Sequence, residues 1–160
     1  MARNTRRLVA SLLMAATAAV GVSACSPIVT QYGTAPSDGI QVEVGTQIRG
    51  ENLLILTRAE GAEGVLIGAV VNRWASPTTV NLTVGEDPEA ASVEVDGNST
   101  VLLNPDAELI TIAAVGAAPG ATIDVTVSSP EQGSVTVAVP VLDGTLAPYD
   151  EFLPPAPVEE

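Results

Sequence analysis

The groups able to do chemistry in these 160 residues are few: one thiol, at Cys25, 19 carboxylates and six arginines, with no histidine and no lysine. That inventory closes most routes to covalent catalysis. Ser-His-Asp, Cys-His and Ser-Lys pairs each need a base beside the nucleophile, and a Schiff base needs a lysine. Paired carboxylates can hydrolyse glycosides, but one tryptophan and two tyrosines give a sugar little to stack on. No glycine-rich loop opens a helix to cradle phosphate. The run Glu86-Asp87-Pro88-Glu89 has the composition of a calcium chelator without the alternate-position acids of an EF-hand loop, and it reads as a solvated turn. Asn81 and Asn98 each begin an N-x-[ST] triplet, a spacing that chance supplies. The chain is therefore expected to be no enzyme, to hold no metal and to need no cofactor.

The position of the thiol is more informative than its reactivity. Arg3, Arg6 and Arg7 precede an apolar run over residues 8–22, broken by Ser11, Thr17 and Gly21, and the small Ser23 and Ala24 come just before Cys25. Basic, apolar and small residues in that order make a secretory signal, and the run is too short for a stable membrane-spanning helix. Val22-Ser23-Ala24-Cys25 resembles a bacterial lipobox, in which the cysteine is diacylated, the leader is cut in front of it and the new amino group is acylated. The resemblance implies that residues 1–24 are a lipoprotein signal peptide and that Cys25 is the lipidation site. An ordinary signal with a coincidental cysteine is the competing reading. Arg6-Arg7 leaves twin-arginine export open beside the general route. Burying acyl chains gains ~0.8 kcal/mol per CH₂, and two or more chains hold a protein on a bilayer. The expected location is the extracytoplasmic face of the cell membrane, with the membrane as a partner through the anchor.

Beyond the leader, Arg49, Arg58 and Arg73 face all 19 acidic residues. Such a chain is repelled by nucleic acid and by anionic headgroups, so neither is expected as a partner. Solubility is the plain account of this acidity; a basic partner is the other.

The elements that must carry these residues follow from patterning. Residues 25–38, rich in Ser, Thr, Pro and Gly, read as a flexible tether spanning at most ~3.3–3.6 Å per residue. Residues 143–160 are acidic and proline-rich, with Pro154-Pro155-Ala156-Pro157 favouring polyproline II, and their end reads as a disordered tail. Tyr32, Tyr149 and Phe152 either pin these flanks to the domain or are ordinary exposed residues.

Between the flanks, over residues 39–142, β-branched residues recur with period two. Ile40, Val42 and Val44 do so, as do Val80, Leu82 and Val84; Ile123, Val125 and Val127; and Val135, Val137, Val139 and Val141. Residues 65–71 are apolar without alternation, as in a central strand covered on both faces. Turn signals separate these runs at Gly61 to Gly64, Asp96-Gly97-Asn98, Pro119-Gly120 and Ser129 to Gly133. The expectation is an all-β, immunoglobulin/cupredoxin-like Greek-key β-sandwich of about nine strands. Pro140 removes a ladder donor, which places the last strand at an edge or ends it there. Trp74, the one large ring, is expected to plug an end of the sandwich or cover a sheet edge. Arg73 and Trp74 are the candidate partner-binding residues, because both types concentrate in interface hot spots.

One resemblance reaches into the domain. Residues 93–141 are similar to the second half of the periplasmic copper chaperones called PCu(A)C. They share a Gly-rich turn, a strand, a Leu-x-Pro turn (here Leu103-Asn104-Pro105), another strand, a Pro-Gly turn and a terminal hairpin. Residues 51–84 resemble LpqE-type actinobacterial lipoproteins of the same fold. The fold implied is a cupredoxin-like Greek-key sandwich. Those chaperones hold Cu(I) with methionine and histidine, whose soft and borderline donors suit that ion. Where they place the His and Met segment, this chain has Glu108-Leu109-Ile110-Thr111-Ile112-Ala113-Ala114, and Met1 and Met14 both lie in the leader. Two functions are thus carried forward. One is a non-catalytic envelope lipoprotein that binds or scaffolds another envelope component, through an unidentified envelope protein partner. The alternative is a metal-handling protein of the chaperone superfamily with a degenerate ligand set.

Overall fold

The structure, a computed structural model, describes residues 37–86 and 90–154. Nine strands occur in the order β1 (Ile40–Val44), β2 (Ile48–Thr57), β3 (Gly64–Asn72), β4 (Thr78–Val84), β5 (Ala91–Val95), β6 (Ser99–Leu103), β7 (Ile110–Ile112), β8 (Thr122–Ser129) and β9 (Gly133–Leu142), followed by one 3₁₀ turn at Tyr149–Glu151. Among the described residues no helix is long and apolar enough to cross a membrane.

Alternation decides most of these strands. In β4, Val80, Leu82 and Val84 are buried while Thr79, Asn81 and Thr83 are half-buried. In β8, Val125 and Val127 point inward with Ser129. Each such strand puts one apolar row toward the core and one polar row toward water, as a half-buried antiparallel sheet requires.

Pairing gives two layers. In one, β1 and β3 flank β2, and β3 in turn pairs with β6 along its second half and with the short β7 along its first. In the other the order is β5-β4-β8-β9. The layers join where β9 leaves β8 and runs parallel to β2, through Ile55↔Val141 and Leu56↔Leu142, so the nine strands form a mixed, nearly closed sheet. Between the layers lies an aliphatic core that includes Val44, Leu53, Ile55, Leu66 and Val70 from one side and Val80, Leu82, Val95, Val125 and Val139 from the other. The buried polar residues Thr57, Asn72, Thr78 and Ser129 all have hydrogen-bond partners, as buried polar groups must.

Three features depart from the pattern reading. First, Pro140 neither sits at an edge nor ends its strand. It pairs with Thr122 at the end of the β8 ladder, where β9 changes partner, so the missing donor falls at the junction between two ladders.

Second, β2 carries a bulge. Asn52 has φ 51°, and the β2–β3 register slips between Glu51 and Leu54. Before the bulge Ile48 faces the core; after it Leu53 and Ile55 do. One extra residue reverses which positions point inward, and no single period describes the strand.

Third, the segment after Leu142 folds back over the outer face of β2 and β3. Leu153 is buried against Leu54, Leu56, Val65 and Ile67, with Tyr149 and Phe152 packed beside them. The Tyr149 hydroxyl donates to Asp38 Oδ2 at 2.8 Å, and Arg58 Nη2 donates to the Pro154 carbonyl at 3.1 Å. Tyr149 and Phe152 thus pin this flank to the domain. Tyr32 and residues 155–160 lie outside the described residues.

Candidate functional site

The Arg73–Trp74 corner is built around one buried amide. Asn72 ends β3 in register with the core positions Leu66 and Val70, and it is 1% exposed. Its Nδ2 faces three carbonyl oxygens, those of Ser76 at 2.9 Å, Val95 at 3.2 Å and Asp96 at 3.0 Å. An amide nitrogen has two hydrogens, so one of them is shared. Its Oδ1 accepts the Trp74 backbone N–H at 2.9 Å. The Trp74 carbonyl in turn accepts the Asn98 N–H at 2.8 Å, and Gly97 leaves no room for a β-carbon against the Ala75 carbonyl. One side chain thus stitches the β3–β4 loop to the β5–β6 turn and fixes the half-buried Trp74.

Arg73 is exposed, its backbone N–H held by the Gln47 carbonyl at 2.8 Å. Its Nη1 stands 3.9 Å from Glu43 Oε1, the same oxygen that Arg49 Nη2 reaches at 2.8 Å, while Arg49 Nη1 bonds Glu51 at 3.0 Å. The Glu51 hydrogen bond foremost, and then that of Glu43, raises the Arg49 pKa above its ordinary value, against some desolvation. Arg49 therefore stays charged, held between the two carboxylates. The looser Arg73 pair, half exposed, contributes little to stability. This corner offers a cation and an indole on a rigid loop.

Residues 108–114 follow the Leu103-Asn104-Pro105 turn, and within them β7 pairs with the start of β3. A cavity of about 210 Å³ opens beside β7, lined by Leu82, Val84, Ala91, Ile110, Thr111 and Ile112 among others. Among the described residues of that lining, the Thr111 hydroxyl is the one polar side-chain group. Among the described residues no three His, Cys, Asp or Glu side chains gather where they could hold a metal ion. Such a lining does not fit Cu(I), which needs sulfur or imidazole donors.

Of the other sequence candidates, Cys25 lies outside the described residues, as do Asp87, Pro88 and Glu89 of the acidic run; Glu86 is exposed just beyond β4. Asn72 was not singled out by sequence reasoning, although a signal exists. It is a polar residue two positions beyond Val70, in the core register of an otherwise apolar strand, where only a fully bonded side chain is tolerated.

No family model matches the sequence, and no curated protein gives a significant match. Solved structures do share its architecture. The copper-bound PCuAC domain from PmoF2 superposes with a TM-score of 0.51 at 19% identity, over 65% of this chain and 98% of that one. The apo PmoF2 PCuAC domain gives 0.53 at 17% identity over 67% and 98%. The apo PCuAC domain from PmoF1 gives 0.52 at 14% over 65% and 99%. The likeness is one of fold. This chain is a PCuAC-like, cupredoxin-like β-sandwich, and at such identities its side chains have to be judged on their own.

Proposed function

We propose that this protein is an extracytoplasmic lipoprotein of the LpqE type, anchored through Cys25, whose non-catalytic sandwich binds another component of the cell envelope. The observation that carries the proposal is the β7 cavity. On a fold shared with a copper-bound domain, the described lining of this cavity offers aliphatic side chains and the Thr111 hydroxyl, none of them a donor suited to Cu(I). The Arg73–Trp74 loop, braced by Asn72, gives the sandwich a fixed surface to present to a partner. The leader order and the lipobox-like Val22-Ser23-Ala24-Cys25 support the anchor. Substituting Cys25→Ser is expected to move the protein from the membrane to the soluble fraction; retention on the membrane without a partner protein counts against lipidation. Crosslinking in intact envelope, with the adducts mapped to residues, identifies the partner.

The fold likeness favours a second reading, a metal-handling protein that relies on carboxylates or on ligands from a partner. Calorimetry with Cu(I), Cu(II) and Ca²⁺ separates the two. Binding weaker than about micromolar, ~8 kcal/mol, is expected of scattered carboxylates, and a submicromolar site for any of these ions replaces the first reading with the second.

A further inference from the structure

On the outer face of β2 and β3, beside the C-terminal segment, lies a groove of about 340 Å³. The β2 bulge shapes its floor. There Gly68 has φ 139°, and a β-carbon on it would lie 2.7 Å from the Glu51 carbonyl oxygen and 2.8 Å from that of Asn52. Ile67 and Ala69 of β3, Leu102 of β6, and Tyr149 and Phe152 of the C-terminal segment form its walls. Leu102 is the cross-strand partner of Ala69, which puts both on this face. The C-terminal segment covers the neighbouring leucines and valine of β2 and β3 but leaves Leu102 52% exposed.

The surroundings are acidic. Asp150 and Glu151 stand between Tyr149 and Phe152 in the chain, both exposed. Asn104, which lines the groove, accepts the Asp106 N–H on its Oδ1 at 3.0 Å, and Glu108 follows in the same exposed loop. No arginine lines the groove. Glu51 at one end is paired with Arg49, which it shares with Glu43, and Arg58 is held by the Pro154 carbonyl.

We propose that this groove docks a protein segment carrying a large apolar anchor flanked by lysine or arginine. The proposal rests on the partner-binding reading and names the partner's chemistry. An apolar slot walled by a tyrosine and a phenylalanine takes an aliphatic or aromatic side chain, the kind of contact that dominates binding energy. The carboxylates around it attract a basic segment and speed its encounter. They also repel an acidic segment, an anionic lipid headgroup and a second copy of this chain, which would bring the same acids to the contact.

The test uses the isotope-labelled full chain and three synthetic peptides: a Leu-Phe centre flanked by lysine pairs, the same centre flanked by glutamate pairs, and a Ser-Ser centre flanked by lysine pairs. The first alone is expected to bind saturably, shifting the amide resonances of residues 67–69, 102–104 and 149–152. Its affinity is expected to fall as salt rises from about 0.01 to 0.15 M, where the screening length shrinks from ~30 to ~8 Å. Leu102→Asp is expected to weaken binding by about tenfold or more while leaving the melting temperature unchanged, since the side chain is exposed. Leu109→Asp, at a leucine that is 49% exposed and not part of the groove, is expected to change nothing. No saturable binding, equal binding by either control peptide, shifts confined to other residues, or a concentration-dependent dimer abolished by Leu102→Asp each overturns the proposal. Envelope crosslinks that map only to the Arg73–Trp74 loop would remove the groove and leave the partner-binding reading intact; envelope crosslinking that captures no protein removes that reading itself.

Discussion

The two faces of the β2–β3 pair are buried by different means. Inward, Leu53, Ile55, Leu66 and Val70 meet aliphatic rows from the opposite layer. Outward, Leu54, Leu56, Val65 and Ile67 meet Leu153, Tyr149 and Phe152 from one short segment that has no strand of its own. The inner face is closed by the fold itself, because several strands contribute to it at once. The outer face depends on a few side chains and on the hydrogen bonds at Tyr149 and Arg58 that hold the segment down. Where that cover ends, an apolar groove begins.

Substitution should expose this asymmetry. Leu53, with no exposed surface, fills the closed core, and Leu53→Ala is expected to cost about 3–5 kcal/mol in chemical denaturation. Asn72→Ala tests the polar brace on the same inner register. It leaves three carbonyls and one N–H without their partner, with an expected cost of about 2–4 kcal/mol and a change in Trp74 fluorescence as the loop loosens. Leu153, 8% exposed at the rim, is expected to cost about 2–3 kcal/mol on conversion to Ala, with increased protease sensitivity confined to the C-terminal segment. Equal losses at Leu53 and Leu153, or global unfolding in the Leu153 variant, would erase the distinction between the faces.

The smallest effect is the pH response of the covering segment. Asp143 accepts the Thr145 backbone N–H first and its hydroxyl second, and both hold its pKa below the ordinary value. A depressed carboxylate contributes stability above its unfolded pKa of about 3.9 and loses it as pH falls through the folded value. Tyr149 is shifted the other way: burial foremost, and then the Asp38 carboxylate, raise its pKa. Its contribution is full below an unfolded pKa of about 10 and is lost as pH rises through the folded value. The segment should therefore loosen at both extremes. Tyr149→Phe is expected to abolish the alkaline arm alone in a hydrogen-exchange profile; an alkaline arm that persists in this variant assigns it to another group.

How much could be read in advance differs between the same two faces. The inner rows of β1, β4, β8 and β9 repeat every second residue, and a half-buried strand needs nothing more to be recognised. In β2 the pattern breaks at Asn52, because the bulge changes the inward parity, and the run after it is apolar at every position since both faces are covered. Pro140 pointed to an edge strand or a strand end because a lost donor is costly inside one ladder; β9 places it between two ladders. The proline-rich composition of residues 143–160 left open whether Tyr149 and Phe152 pin the flank or stand exposed; they and Leu153 find an apolar face that only the assembled sheet presents. Residues 108–114 contain no histidine, methionine or cysteine, which is legible from identity alone. The small cavity beside them, with its largely aliphatic lining, required the pairing of β7 with β3.

Residue identity by itself set which side chains this sequence can bring to a site, because a missing imidazole or lysine amine cannot be restored by any fold. Periodicity determined most of the strands, because the pleat turns every second side chain the same way whatever surrounds it. Tertiary structure alone decided which apolar rows were covered and by what, where Asn72 found its carbonyls, and that Leu102 stayed open beside Tyr149 and Phe152. Most of those contacts join residues tens of positions apart, and their energies exist only once the layers have closed.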